Sequence, residues 1–222
     1  MKQNSTPFDV AEYDSQIKRT LPFYEEMFQQ IVDIISLLDL QSIKWLDVGC
    51  GTGKMARTAL EIFEIEKMLC IDVEQEMIKR AESFCDEENV EFLQSDIREL
   101  PYQEIFDVVT AVQVNHYFKK AERMAAIKKC YSVLKDDGIY ISFENFAPDS
   151  EEGARLYLER WRQFQIVNGK SKVEVDLHIE RYSRDYFPVT ISESIELLKE
   201  CGFRMVEILW VSYMQVGILA RK

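Results

Sequence analysis

Apolar positions along this chain recur in two alternating rhythms. Short runs at Ile43–Val48, Lys67–Asp72, Val90–Leu93, Phe106–Val114 and Ile139–Phe146 have the length and residue types of buried strands. Between them apolar residues step by three and four: Met55, Ala56, Ala59, Leu60 and Phe63, then Met77, Ile78, Ala81 and Phe84, then Met124, Ile127, Tyr131 and Leu134. Strand and helix alternating to residue 148 predict a parallel, doubly wound sheet with right-handed crossovers. Upstream, Val10–Thr20 is compatible with a helix. Pro22 opens a stronger one, with Phe23, Met27, Ile31, Ile34, Ile35 and Leu38 on one face. Residues 1–9 are expected to fray.

The rhythm changes after Pro148. Residues 151–168 fit a helix with Tyr157, Trp161 and Phe164 on a shared face, closed by Asn168-Gly169. Residues 170–187 are charged and aromatic, with no clear period. A helix at Ser192–Cys201 ends at Gly202, and Arg204–Trp210 and Tyr213–Ala220 are close enough to form a terminal antiparallel pair. The expected organisation is a helical segment at 1–40, a core at 41–148, a substrate lid at 149–190, and a helix and strand pair at 191–222 that complete the core.

Composition narrows the setting. The 222 residues carry 27 basic and 39 acidic side chains, a formal charge of −12, without a dense basic run. Neutralising many phosphates normally takes a basic face, so this balance argues against a nucleic-acid substrate. Five scattered cysteines, none spaced C-x-x-C, fit a reduced chain with buried thiols. The first nine residues are polar, so no secretory signal is evident, and no run reaches membrane-spanning length. The expected setting is cytoplasmic.

The chemistry begins at Asp47-Val48-Gly49-Cys50-Gly51-Thr52-Gly53-Lys54. Glycines two apart allow positive φ and close approach of a ligand to the backbone, and the following helix offers unpaired amides. A dinucleotide fingerprint needs glycine at position 54, where lysine stands, and no Gly-Lys-Ser/Thr closes a phosphate loop. The turn resembles the first motif of class I S-adenosylmethionine (SAM) methyltransferases. Asp72, at the end of the second strand, is placed to accept ribose hydroxyls, and Asp96-Ile97, after the third, to meet an adenine. In that family's layout Tyr24, Asp47, Gly49, Cys50, Gly51, Gly53, Asp72, Val73, Met77, Asp96, Ile97 and Gln113 would hold the cofactor. The resemblance implies a Rossmann-like α/β fold: a seven-stranded, mostly parallel sheet with an antiparallel last strand, helices on both faces and a lid before the last helix. S-adenosyl-L-homocysteine would be the product.

At the end of the fourth strand, Asn115-His116-Tyr117 would border the methyl group. His116 is the candidate general base, its ordinary pKa lying near neutrality; lining the pocket is the competing role. Tyr13, Arg19, Asn115, Tyr117, Trp161 and Arg181 are the candidate acceptor contacts. The other aromatics there (Tyr157, Phe164, Tyr182, Tyr186, Phe187) suit a planar or partly apolar acceptor. No metal is expected, the two histidines being far apart in sequence.

Leu21-Pro22-Phe23-Tyr24 and Glu180-Arg181, with Cys201-Gly202-Phe203 further on, are similar to stretches of the carboxy-SAM synthase family. That likeness implies cofactor contact by Tyr24 and pairing of Arg181 with an extra carboxylate, derived from prephenate. Ala111, where that family has asparagine, and Gly51, where it has serine, depart from it. The leading expectation is therefore methyl transfer to a small molecule, without a membrane; a homodimer is compatible. The alternatives are carboxy-SAM synthesis, a non-catalytic SAM-binding regulator and, least favoured, an NAD oxidoreductase.

Overall fold

The computed structural model describes residues 10–222; the expected fraying of residues 1–9 lies outside them. The strands are β1 (Ile43–Val48), β2 (Ile65–Asp72), β3 (Val90–Gln94), β4 (Phe106–Val112), β5 (Leu134–Asn145), β6 (Met205–Ser212) and β7 (Gln215–Arg221). The helices are α1 (Tyr13–Thr20), α2 (Tyr24–Ser36), α3 (Lys54–Ile62), α4 (Gln75–Glu82), α5 (Lys120–Val133), α6 (Glu151–Val167), α7 (Lys172–Ile179) and α8 (Ile191–Glu200).

The strands form one sheet in the order β3-β2-β1-β4-β5-β7-β6. The first five run parallel, and β7 lies antiparallel to both β5 and β6. Alternation along each strand separates two cores. Leu46, Val48, Leu69, Ile71, Val109 and Ala111 face the side covered by α5 and α8. Trp45, Met68, Cys70 and Val108 face the side covered by α2 and α3. Because both faces are covered, the central strands are apolar at nearly every position. Winding reverses between β1 and β4, and a sheet of this kind opens a crevice at the carboxyl ends of its strands there.

Two elements differ from the expectation. Asp136-Asp137-Gly138 is not a turn ahead of the fifth strand but an irregularity inside β5, where pairing slips between Phe106 and Val108 and Asp137 takes φ 62°. The stretch without a period contains α7. A reciprocal cap between Ser171 and Glu174 starts it. It buries only Val175 and His178 while Val173 and Leu177 stay exposed, so no apolar stripe marks it. Together α6 and α7 form a helical insertion between β5 and α8. The buried Trp161 indole ties it to α1, donating to the Thr20 carbonyl at 2.6 Å.

Gly217 on β7 lies under the Phe143 ring of β5, where an added methyl would collide with ring carbons. Gly217→Ala is expected to lower stability by about 1–3 kcal/mol, the usual cost of overpacking. Urea denaturation checks this, an unchanged midpoint being the contrary result.

Candidate functional site

The site is built at the carboxyl ends of β1 to β4. After Val48 the chain turns through Gly49 at φ 65° and Gly51 at φ 54°, and Gly53 at φ 76° leads into α3. A side chain at Gly49 would strike Val114, so the turn can pass β4 this closely only with glycine there. Two hydrogen bonds tie the turn to β2. The Cys50 amide donates to the Ile71 carbonyl at 2.9 Å, and the Gly51 amide donates to Asp72 Oδ2 at 3.0 Å.

Three acids stand around this turn in different states. Asp72 also accepts from the Glu74 amide at 2.9 Å; burial pushes its carboxyl above the ordinary value, against the pull of these amide bonds. Asp96 caps the 3-10 turn Ile97–Glu99 through the Arg98 amide and accepts the Arg98 guanidinium fork at 2.9 and 2.6 Å. Burial works against the Asp96 charge, but the Arg98 contacts outweigh it and hold the carboxyl below its usual range. Asp47 is the most enclosed. Trp45 Nε1 donates to Thr110 Oγ1 at 2.9 Å, and that hydroxyl donates to Asp47 Oδ1 at 2.7 Å. Burial first, with the Asp72 charge adding and the Thr110 bond opposing, pushes Asp47 up to about 7.

The turn, Asp72 and Asp96 border one cavity of about 990 Å³, its open mouth included. Gly49, Gly51, Asp72, Val73, Met77, Asp96, Ile97 and Gln113 line one end, and Tyr13, His116, Tyr117, Trp161, His178 and Tyr186 line the other. A side chamber of about 360 Å³ adjoins it, with Tyr24, Asp47, Cys50 and Lys54 among its walls and Tyr13, Gly49, Gly51 and Gln113 common to both. Gln113 sits at the junction at φ 61°, held by its own amide and side chain on the Phe143 carbonyl at 2.7 and 3.2 Å. Strained non-glycine backbone of this kind clusters where ligands are held.

At the far end, His116 Nδ1 lies 2.7 Å from Glu144 Oε2, the histidine side chain 2 % and the glutamate 13 % exposed. Glu144 also accepts from the Asn115 and His116 amides at 2.8 and 3.2 Å and from Asn115 Nδ2 at 2.9 Å. Facing an oxygen that already serves as an acceptor for these donors, Nδ1 is the nitrogen that carries the ring proton in this pair. Nε2 is left as the lone-pair nitrogen, with no hydrogen bond to any described residue. The second histidine, far away in sequence, shares this cavity. His178 Nδ1 pairs with Gln165 Oε1 at 2.9 Å, and burial, followed by the nearby Lys170 and Arg181 charges, lowers its pKa to about 3. The Tyr186 ring lies 5.5 Å from His116 and 5.9 Å from His178. Burial raises Tyr117 to about 12, so its hydroxyl is a donor at neutral pH.

Placement of the remaining expected residues is uneven. Gly53 is the N-cap of α3 and lines neither chamber, and Arg19 is exposed on α1 outside both. Asn115 is buried behind His116, where it donates to the Tyr140 hydroxyl at 2.7 Å. Arg181 does not line the cavity; its Nε donates to Asp185 at 2.9 Å and its guanidinium lies 5.0 Å from the Tyr186 ring centre. Among the aromatics, Trp161 and Tyr186 reach the cavity, whereas Phe164 packs on Tyr213. Glu144, Asn145 and His178 are site residues that sequence reasoning missed. A polar pair, Glu144-Asn145, closing the buried run Ile139–Phe143 was the available signal for two of them.

Comparison with known proteins accords with this geometry. Residues 46–138 match the family described as "Methyltransferase domain". The carboxy-S-adenosyl-L-methionine synthase of Nautilia profundicola is 27% identical over 212 residues, covering 94% of this chain and 90% of that one. The enzyme of the same name from Helicobacter hepaticus is 27% identical over 214 residues, covering 92% and 89%. Among solved structures, a SAM-dependent methyltransferase from Aquifex aeolicus superposes with TM-score 0.63 at 17% identity, covering 96% of this chain and 98% of that one. The [4+2]-cyclase SpnF gives TM-score 0.64 at 19% identity, covering 87% and 80%. The chain is a SAM-using enzyme of the class I methyltransferase fold, with resemblance to the carboxy-SAM synthase branch.

The residues fit that cofactor. Gly49 and Gly51 leave room against the backbone, and Asp47, whose charge burial disfavours while the site is empty, is a carboxylate that an ammonium beside the turn would favour. Its raised pKa carries a stability signature. Below about 4 Asp47 is protonated folded or unfolded. Between about 4 and about 7 the unfolded chain ionises first, so its contribution falls as pH rises through that window. Asp47→Asn is expected to be increasingly stabilising, relative to the parent, from pH 4 to 7 without ligand. Thermal melts across that range check it; a pH-independent difference is the contrary outcome.

Proposed function

We propose that the enzyme moves the SAM methyl group to a hydroxyl or amine of a small, uncharged or weakly charged acceptor, with His116 as general base. The observation that carries this reading is the His116–Glu144 pair at 2.7 Å, whose histidine lines the same cavity as the glycine turn, Asp72 and Asp96. Bound SAM supplies an electrophilic methyl on a positive sulfur. The chain supplies the rest. Its acids suit a cationic ligand, Tyr13, Tyr117 and Tyr186 wall the acceptor, and His116 Nε2 accepts the proton that the acceptor loses. Glu144 then faces an imidazolium across a short hydrogen bond, which favours that transfer. The α6–α7 insertion, tied down by Trp161, serves in this reading as a lid that excludes water.

No Lys or Arg side chain is among the described residues lining the main cavity, which favours an acceptor without several negative charges. A second reading, synthesis of carboxy-SAM, is supported by relatives of that name along almost the whole chain and by Arg181 beside Tyr186.

Mass spectrometry of reactions with SAM distinguishes the two. Methyl transfer yields S-adenosylhomocysteine and a methylated acceptor from a panel of small hydroxylated and amino compounds. The second reading yields, with prephenate, a cofactor heavier by one carbon dioxide. With a responsive acceptor, His116→Ala is expected to lower kcat by about 100-fold or more, with the KM for SAM within about twofold. Unchanged kcat would remove His116 as the base.

A further inference from the structure

We propose that Arg123 on α5 is a positioning residue that sets His116 and locks the inserted segment onto it; this rests on His116 being the base. The turn Asn115–Tyr117 that carries His116 is held between opposite charges. On its amide side, the Val114, Asn115 and His116 N–H groups all donate to the Glu144 carboxylate, at 3.3, 2.8 and 3.2 Å. On its carbonyl side stands Arg123, 4 % exposed, with Nε donating to the Asn115 carbonyl and Nη2 to the Phe118 carbonyl, both at 2.9 Å. The same Nη2 donates to the Phe187 carbonyl, and the Phe187 amide returns a hydrogen bond to the His116 carbonyl at 2.6 Å.

Phe187 follows Tyr186, whose ring forms the cavity wall against both histidines. One guanidinium therefore fixes the backbone on both sides of the base and the segment that closes over it. Arg123 has no ion pair with any described carboxylate. Glu144 and Glu193 act on it from a distance, and its close partners are three carbonyl oxygens. Burying a cation against carbonyls alone is costly, whereas a planar fork reaching three backbone oxygens is what arginine offers and lysine does not. Neutral side chains would suffice to fill the space, so the geometry assigns the charge to holding this turn.

The chain has two histidines, so 15N-histidine NMR of the full-length protein with S-adenosylhomocysteine present resolves each ring, His178→Gln giving the assignment. The parent is expected to show His116 as the Nδ1–H tautomer with a slowly exchanging Nδ1 proton; the opposite tautomer would remove the base reading itself, whatever Arg123 does. In Arg123→Lys and Arg123→Gln, that proton and the Phe187 amide are expected to exchange at least about tenfold faster while His178 keeps its signals. The proposal is overturned if a folded variant leaves His116 and Phe187 unchanged, or if both histidines shift alike. It is also overturned if neither variant melts cooperatively, because Arg123 would then be a residue of the general fold.

Discussion

The site hangs on one carboxylate. Asp72 ends β2 and spends one oxygen on the Gly51 amide and the other on the Glu74 amide, so the glycine turn and the entry to α4 are set by the same group. Both amides belong to backbone that no regular element would otherwise satisfy. The arrangement needs parallel strands that end together, because only then do the turn after β1 and the acid after β2 come within hydrogen-bond reach. Burial raises the Asp72 carboxyl while its amide partners work the other way, leaving a held acceptor at the centre of the cleft. A carboxylate oxygen has further lone pairs, and these remain for the hydroxyls of a nucleoside.

The two ends of the cavity differ in character for a physical reason. Around the turn the walls carry Asp72, Glu74 and Asp96, whereas the far end carries tyrosines, a tryptophan and two histidines. The acids suit the first end to a cationic ligand, and the second end is walled mainly by rings. His178 stays neutral because its ring is buried near Lys170 and Arg181. His116 differs in having a carboxylate at its back. Two histidines in one chamber thus have unlike environments, and the paired one is the one suited to take up a proton.

Much of this was legible in the residues, and the limits have causes. The strand–helix alternation to residue 148 and the antiparallel terminal pair came from periodicity. The convergence of Asp72 and Asp96 on one cleft followed from their places at strand ends. What stayed hidden lay where periodicity carries no information. α7 has exposed apolar residues at Val173 and Leu177 and buries a histidine, so its pattern reads as noise. His116 and His178 both lie against Tyr186, on the chain that follows α7, an arrangement that spacing does not report. Arg19 and Arg181 were drawn toward the acceptor by residue type, but the structure leaves the first in solvent and engages the second with Asp185. Glu144 is intelligible in hindsight as a charge following the buried run Ile139–Phe143.

If a nucleoside sulfonium lies over β1 to β3 with Asp72 holding it, calorimetric titration with S-adenosylhomocysteine should give saturable one-site binding by the parent protein. Loss of a charged hydrogen-bond acceptor worth about 1.5–3 kcal/mol should weaken binding roughly 10- to 100-fold in a folded Asp72→Ala variant. Equal affinity in the two proteins, or a parent that binds neither S-adenosylhomocysteine nor SAM, would contradict that placement.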